Sequence, residues 1–363
     1  MIREAGRLLA ALRDIHAAVR DDVLAACAAR SVEELATVVA EDGGDLVFAI
    51  DRVSERTLLH HFATLARTWS CVLIAEGLGP DGTAVLPAGT AADDAELRII
   101  VDPIDGTRGL MYQKRAAWIL TGVAPNRGPA TTLADIELAV QTEIPTLKQH
   151  LCDSLWAVDG QCAGERCNRL TGERAPLRPR PSQATTIEQG YGNIARFFPG
   201  GRALTAALDD ELVERVLGPQ PPDASATFED QYCCTGGQLY ELCMGHDRWA
   251  ADLRPLLRRR LAAEGRALGH CCHPYDLCTE LIARTAGVHV TDPVSRRCTR
   301  CCARTAWRRR AEPAAPKRES ARRGLPITRI TPGGNTSAGC WRLAQAARMS
   351  SSITERSLSS ALF

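Results

Sequence analysis

The sequence has no apolar run approaching the ~20 residues a membrane span needs. Its opening is not apolar either, because Arg3, Glu4, Arg7, Arg13 and Asp14 break it up. Neither a spanning protein nor a cleaved export signal is expected, which leaves a soluble, cytoplasmic chain with no membrane partner. Net charge is nearly missing at +1, with 44 basic and 43 acidic residues, but the two signs are unevenly placed. Residues 295–363 carry 15 Lys and Arg against 3 Asp and Glu, so the first 294 hold 29 basic and 40 acidic residues. A body that acidic is not expected to bind nucleic acid, and the basic end reads as solvated charge before it reads as a nucleic-acid arm. The 15 cysteines lack the spacing of a zinc site, which needs two well-spaced pairs: Cys298 and Cys301 make one, and the neighbouring Cys271-Cys272-His273 are too close together to share an ion easily. In a 363-residue chain, long enough to bury a large core and 45% hydrophobic, reduced thiols are expected rather than a disulfide framework.

What is present centres on Leu97 to Leu110, LRIIVDPIDGTRGL. The β-branched Ile99, Ile100 and Val101 predict a buried strand ending in a carboxylate. Asp102 and Asp105 stand three apart with Pro103 between them, so both acids and the Ile104 carbonyl can converge on one point, and three hard oxygens suit Mg²⁺. Gly106 lets backbone approach a ligand, and Thr107 offers a hydroxyl and an amide at a helix start, where phosphate is favoured. Asp, Pro and Gly also favour plain turns, so these residues alone leave a turn open.

Around this stretch, Leu8, Leu9, Leu12, Ile15, Val19 and Val23 recur at helical spacing and predict a helix over about the first 28 residues. DLVFAID predicts a strand ending at Asp51, then a helix to about Trp69; Asp51 by itself reads equally as a helix cap. CVLIAEG predicts a buried strand ending at Glu76. Further strands are expected at Trp118–Val123 and through Ile136, Leu138 and Val140, and the Pro- and Arg-rich Thr171–Ala184 reads as an exposed connection. An amphipathic helix is expected through Leu204, Leu208, Leu212, Val213 and Val216, and a second opens at Thr235-Gly236-Gly237. Asp276 begins an apolar helix that Ala286-Gly287 ends, where an acid is also a plain cap.

The DPIDGT string together with HPYDLCTELIARTAG, about 170 residues later, resembles the two signatures of the inositol monophosphatase family, within the Mg²⁺-dependent, lithium-sensitive phosphatases that include fructose-1,6-bisphosphatases and 3′(2′),5′-bisphosphate nucleotidases. The resemblance implies an α/β layered sandwich of alternating helix and sheet layers. It implies two or three Mg²⁺ held by Glu76, Asp102, the Ile104 carbonyl, Asp105 and Asp276, with Asp102 bridging. Asp51 and Thr107 would orient and deprotonate the attacking water, with Glu76 beside them, and the Gly106 and Thr107 amides would bind phosphate. Thr235, Gly236 and Asp276 would line the substrate. The implied reaction is hydrolysis of a small phosphorylated polyol or sugar. A bisphosphate nucleotidase or sugar bisphosphatase is the alternative within the fold, an inactive or non-catalytic family member with a truncated fold is the alternative of another class, and a homodimer is a further expectation.

The chain departs from the family in three places. Gly77 stands where a second acid follows Glu76, and Gly269 stands where inositol-specific members carry a Glu that contacts sugar hydroxyls. From Ser295 the sequence turns Arg- and Ser-rich with little periodicity, which reads as a disordered basic tail or one foreign to the family. Three segments are therefore expected: an N-terminal half over 1–170 carrying the DPIDGT site, a C-terminal α/β half over 185–294 carrying Asp276, and the tail 295–363.

Overall fold

The computed structural model describes residues 1–42, 45–76, 78, 82–266, 271–291 and 330–332. The predicted first helix forms as α1 (Ala5–Ala29), burying Leu8, Leu12, Ile15, Val19 and Val23. A short α2 (Val32–Leu35) and a hairpin of β1 (Val38–Asp42) and β2 (Asp45–Phe48) lead to α3 (Asp51–Leu65). Then come β3 (Cys71–Ala75), β4 (Thr83–Leu86), β5 (Leu97–Asp105), the one-turn α4 (Thr107–Met111), β6 (Ala117–Pro125), β7 (Leu138–Ile144), β8 (Leu151–Val158), β9 (Gln161–Asn168) and β10 (Arg174–Leu177). The remainder holds β11 (Tyr191–Ile194), α5 (Arg202–Leu217), α6 (Thr235–Met244), β12 (Asp247–Ala251), α7 (Arg254–Ala263), α8 (Glu280–Ala286), β13 (Val288–Val290) and β14 (Ile330–Pro332).

Strands β3 to β10 make one sheet in the order β10-β9-β8-β7-β6-β5-β3-β4. Its centre is apolar on both faces, as β5 shows, with all nine residues buried. Leu97, Ile99 and Val101 pack with the α1 and α3 side chains, while Ile100 packs with α6 and α8 on the other face. The period of two along β5 thus sorts its side chains between two helix layers. A second sheet, β11-β12-β14-β13, lies beyond α6 and α8, and Ile194, Trp249 and Ala251 from it pack on Leu212 of α5. Helix and sheet layers therefore alternate, the α/β sandwich expected from the sequence.

One sequence reading needs correction. The stretch taken as an exposed connection contains β10, antiparallel to β9 with Arg174 opposite Cys167 and Pro176 opposite Glu165. It is an edge strand whose first three residues are exposed. Edge strands tolerate Pro and charge, so their composition resembles that of a loop. Of the basic C-terminal segment, only the backbone of Ile330–Pro332 is described, paired with β12 and β13. Gly77, Gly269 and Cys298 to Cys302, all singled out in the sequence, lie outside the described residues.

Candidate active site

β3 and β5 run parallel, and their carboxyl ends open into a cavity of about 660 Å³. The end of β5 is not a regular strand. Asp102 pairs with Leu120 and Asp105 with Trp118, so three steps on β5 match two on β6. In an unbroken strand, residues three apart point to opposite faces; the extra residue of this bulge turns both carboxylates toward one side. Pro103 has no N–H to lose to the ladder and sits inside the bulge. The Asp102 Oδ1 accepts from the Ile104 N–H at 3.0 Å, which holds the turn.

The third acid arrives from a distant part of the chain. Asp276 lies in a 3-10 turn (Tyr275–Leu277) whose continuation crosses the sheet at Gly122, where an added Cβ would stand 2.7 Å from the Cys278 carbonyl. A side chain there would push the turn away. Asp102, Asp105 and Asp276 are buried, and each offers an oxygen within 4.8 Å of the others. No other such group of His, Cys, Asp or Glu occurs among the described residues. Glu76, at the end of β3, lines the same cavity.

Crowding three acids out of water disfavours their charge. Burial, then the charges of Glu76, Asp105 and Asp276, push Asp102 well above the usual carboxylate range. Burial and the Asp276 charge push Asp105 up to about 8, against the Gly236 amide and the Arg254 guanidinium, which pull the other way. A cation among these oxygens would remove that penalty, and an all-oxygen set of this kind suits a hard divalent ion. The residues present therefore fit a metal.

Asp51 is placed differently from a helix cap. Its Oδ2 accepts from the Phe48 N–H at 2.8 Å, upstream of its own helix, and its Oδ1 faces the Thr107 hydroxyl at 3.2 Å. The same hydroxyl lies 2.8 Å from the Ile104 carbonyl. Thr107 follows Gly106, whose φ of 101° lies in the left-handed region that glycine favours. Thr107, Gly106, Ile104, Asp51 and Thr235 all line the cavity. Gly236 does not: its N–H donates to Asp105 Oδ2 at 2.6 Å, an approach that an added Cβ would obstruct against Leu120 at 2.7 Å.

Sequence reasoning missed several residues here. Cys234 caps α6, its Sγ accepting from the Gly237 N–H at 3.4 Å, and its thiol is among the groups that pull Asp105 down. Arg254, Lys114 and Arg115 bring positive charge to the cavity, and Phe197 and Phe198 form part of its wall. Arg254 sits in the Arg-rich run RPLLRRR, so only its burial at 5% exposure distinguishes it from its neighbours.

No family model matches the chain, and no curated protein matches it in sequence. Solved structures do match in fold. The extragenic suppressor protein suhB from Bartonella henselae is 14% identical, with a TM-score of 0.52 over 79% of this chain and 88% of that one. The fructose-1,6-bisphosphatase of Leishmania major is 12% identical, with a TM-score of 0.58 over 90% and 89% of the two chains. At these identities the likeness is one of fold.

Proposed function

We propose that the chain is a metal-dependent phosphomonoesterase of the inositol monophosphatase type, acting on a small phosphorylated polyol or sugar. The carboxylate triangle of Asp102, Asp105 and Asp276 at the mouth of β5 carries this reading. The two sequence signatures and the fold shared with a fructose-1,6-bisphosphatase support it.

In this reading Asp102, Asp105 and Asp276 would hold two or three Mg²⁺, with Glu76 and the Ile104 carbonyl as further ligands. When bound, the ions supply Lewis-acid charge that makes a water nucleophilic near neutral pH and stabilises the leaving oxygen. The chain's own groups do the positioning. The Thr107 hydroxyl accepts a hydrogen bond from the attacking water while donating to Asp51 Oδ1, so a proton can leave the water toward Asp51. The Gly106 and Thr107 amides, at the start of α4, would donate to the phosphoryl oxygens. Thr235 borders the substrate, and Gly236 acts indirectly by holding Asp105.

The test is hydrolysis of p-nitrophenyl phosphate and of inositol monophosphate with Mg²⁺, with and without EDTA. Asp102→Asn should lower kcat by at least ~10³-fold because a carboxylate that would hold the metal is lost. Its melting temperature without metal should not fall, since Asn keeps an oxygen for the Ile104 N–H and takes away a carboxyl that burial and its acidic neighbours disfavour. Near-normal turnover in the variant, or turnover in EDTA, would sink the assignment.

A further inference from the structure

A second cavity, of about 510 Å³, shares no lining residue with the first. Helix α5 gives Asp209, Asp210 and Glu214 to its wall, the segment before α6 gives Phe228 and Glu229, and the second sheet gives Gly192 of β11 and Trp249 of β12. Gly192 and Trp249 are register partners, and Trp249 packs on Leu212, so both face α5. Carboxylates outnumber cations on this wall. Arg196 is shared between Asp209, at 3.3 Å, and Glu229, whereas Asp210 and Glu214 make no ion pair among the described residues. Four apart on one helix, these two stand on the same side of it. Burial pushes Asp209 up to about 6 in spite of the Arg196 charge, so the wall is drier than an open surface.

Surface carboxylates are ordinarily solvated, but Trp249 adds a buried donor of its own. The residue is 7% exposed, and its indole edge lies over Gly192, where an added Cβ would stand 2.1 Å from Nε1. The indole N–H makes no hydrogen bond among the described residues and is not sealed from solvent, so it opens into the cavity that Trp249 and Gly192 line. A donor left unpaired in such a place carries a cost that an oxygen from a ligand would remove. Phe228 is 40% exposed and pairs with Tyr191, ring centroids 5.5 Å apart, which leaves a flat apolar face beside the acids.

We propose that this second cavity binds a small amino sugar, with its ammonium at Asp210 and Glu214, a hydroxyl oxygen accepting from the Trp249 N–H, and a ring face against Phe228. Four carboxylates against one guanidinium reject an anion. A bare metal ion or a simple amine leaves the indole N–H unpaired, and a neutral sugar leaves the charge of Asp210 and Glu214 unmatched. An ammonium has three donors and can reach two carboxylates at once. The site is independent of the phosphomonoesterase reading.

Titration calorimetry on the full chain in EDTA tests this with three ring compounds: glucosamine, glucose, which lacks the charge, and cyclohexylamine, which lacks the oxygen. Glucosamine should saturate the site below ~20 mM and bind at least ~5-fold more tightly than either of the others. Trp249→Phe removes the N–H and keeps an aromatic ring. It should weaken glucosamine at least ~5-fold and leave cyclohexylamine unchanged. Asp210→Asn and Glu214→Gln, at exposed positions, should weaken glucosamine and cyclohexylamine alike. Asp102→Asn, in the first cavity, should leave glucosamine binding as it is. No saturable binding of glucosamine, equal binding of the three compounds, or a loss on Asp102→Asn would overturn the proposal. If Trp249→Phe lowers the melting temperature, the two exposed substitutions decide instead, and glucosamine binding untouched by both would overturn it.

Discussion

At the scale of single residues, the bulge in β5 has an energetic cost. Asp105 has an ordinary unfolded pKa near 4 but is pushed up to about 8 in the fold. Between these values the metal-free folded chain holds a proton that the unfolded chain has lost, so stability falls as pH rises from about 4 to about 8. Asp105→Asn keeps an oxygen for the Gly236 N–H and removes the titration. The metal-free variant should therefore melt several degrees above the unsubstituted chain at pH 8, with the gap closing near pH 4. Scanning calorimetry in EDTA at several pH values would show it; a gap independent of pH would mean that Asp105 does not titrate in this range. The triangle was half legible in the sequence. Asp102 and Asp105 are local to one turn, whereas Asp276 came only through the family resemblance, because its approach depends on the missing side chain at Gly122.

At the scale of elements, α1 is tied to the large sheet by a polar contact inside an apolar interface. His16 Nε2 lies 2.8 Å from the Thr121 hydroxyl of β6 and Nδ1 lies 3.0 Å from the Thr142 hydroxyl of β7. Burial, then the Arg20 charge, hold the imidazole down at about 3. The unfolded chain takes up a proton near pH 6.5 that the folded chain refuses. Stability is thus fully present above pH 6.5 and is lost as pH falls toward 3, at up to ~1.4 kcal/mol per pH unit. His16→Gln keeps hydrogen-bonding capacity without the charge, and urea unfolding at pH 7 and pH 4.5 should show a smaller acid loss for the variant. An equal loss would move the acid sensitivity elsewhere. The helix itself was readable from its apolar spacing, but not this contact. The periodicity of α1 marks which face is buried, and says nothing of which strands meet it.

At the scale of the whole molecule, the candidate metal site joins segments remote in sequence. Asp102 and Asp105 come from β5 of the large sheet, Glu76 directly follows β3, and Asp276 comes from the turn before α8 in the next layer. A cation held by all of them would clasp the layers together. Mg²⁺ should therefore raise the melting temperature with its concentration, by an amount equivalent to ~2.7 kcal/mol at a hundred times its Kd. Because burial pushes Asp102 well above the usual carboxylate range and Asp105 up to about 8, Mg²⁺ binding at pH 7 should release protons, seen as a binding enthalpy that varies with the buffer's ionisation heat. Asp102→Asn should weaken both effects. A melting temperature indifferent to Mg²⁺ would argue against the clasp.

What the sequence determined by itself was whatever depends on near neighbours: the amphipathic α1, the buried β5, the Asp-Pro-Ile-Asp-Gly-Thr turn, and the order of two signatures that suggested the layered fold. These are set by side-chain periodicity and by the backbone limits of Pro and Gly, which act over a few residues. Tertiary structure alone decided the rest. It used the Gly236 amide for Asp105 instead of the cavity, gave Asp51 the Phe48 N–H in place of a cap, and made an edge strand of Arg174–Leu177. It also singled out Arg254 from a run of arginines by burying it between Asp252 and two phenylalanines. Long-range packing chooses which of several similar residues loses its water, and a charge's chemistry changes most where that happens.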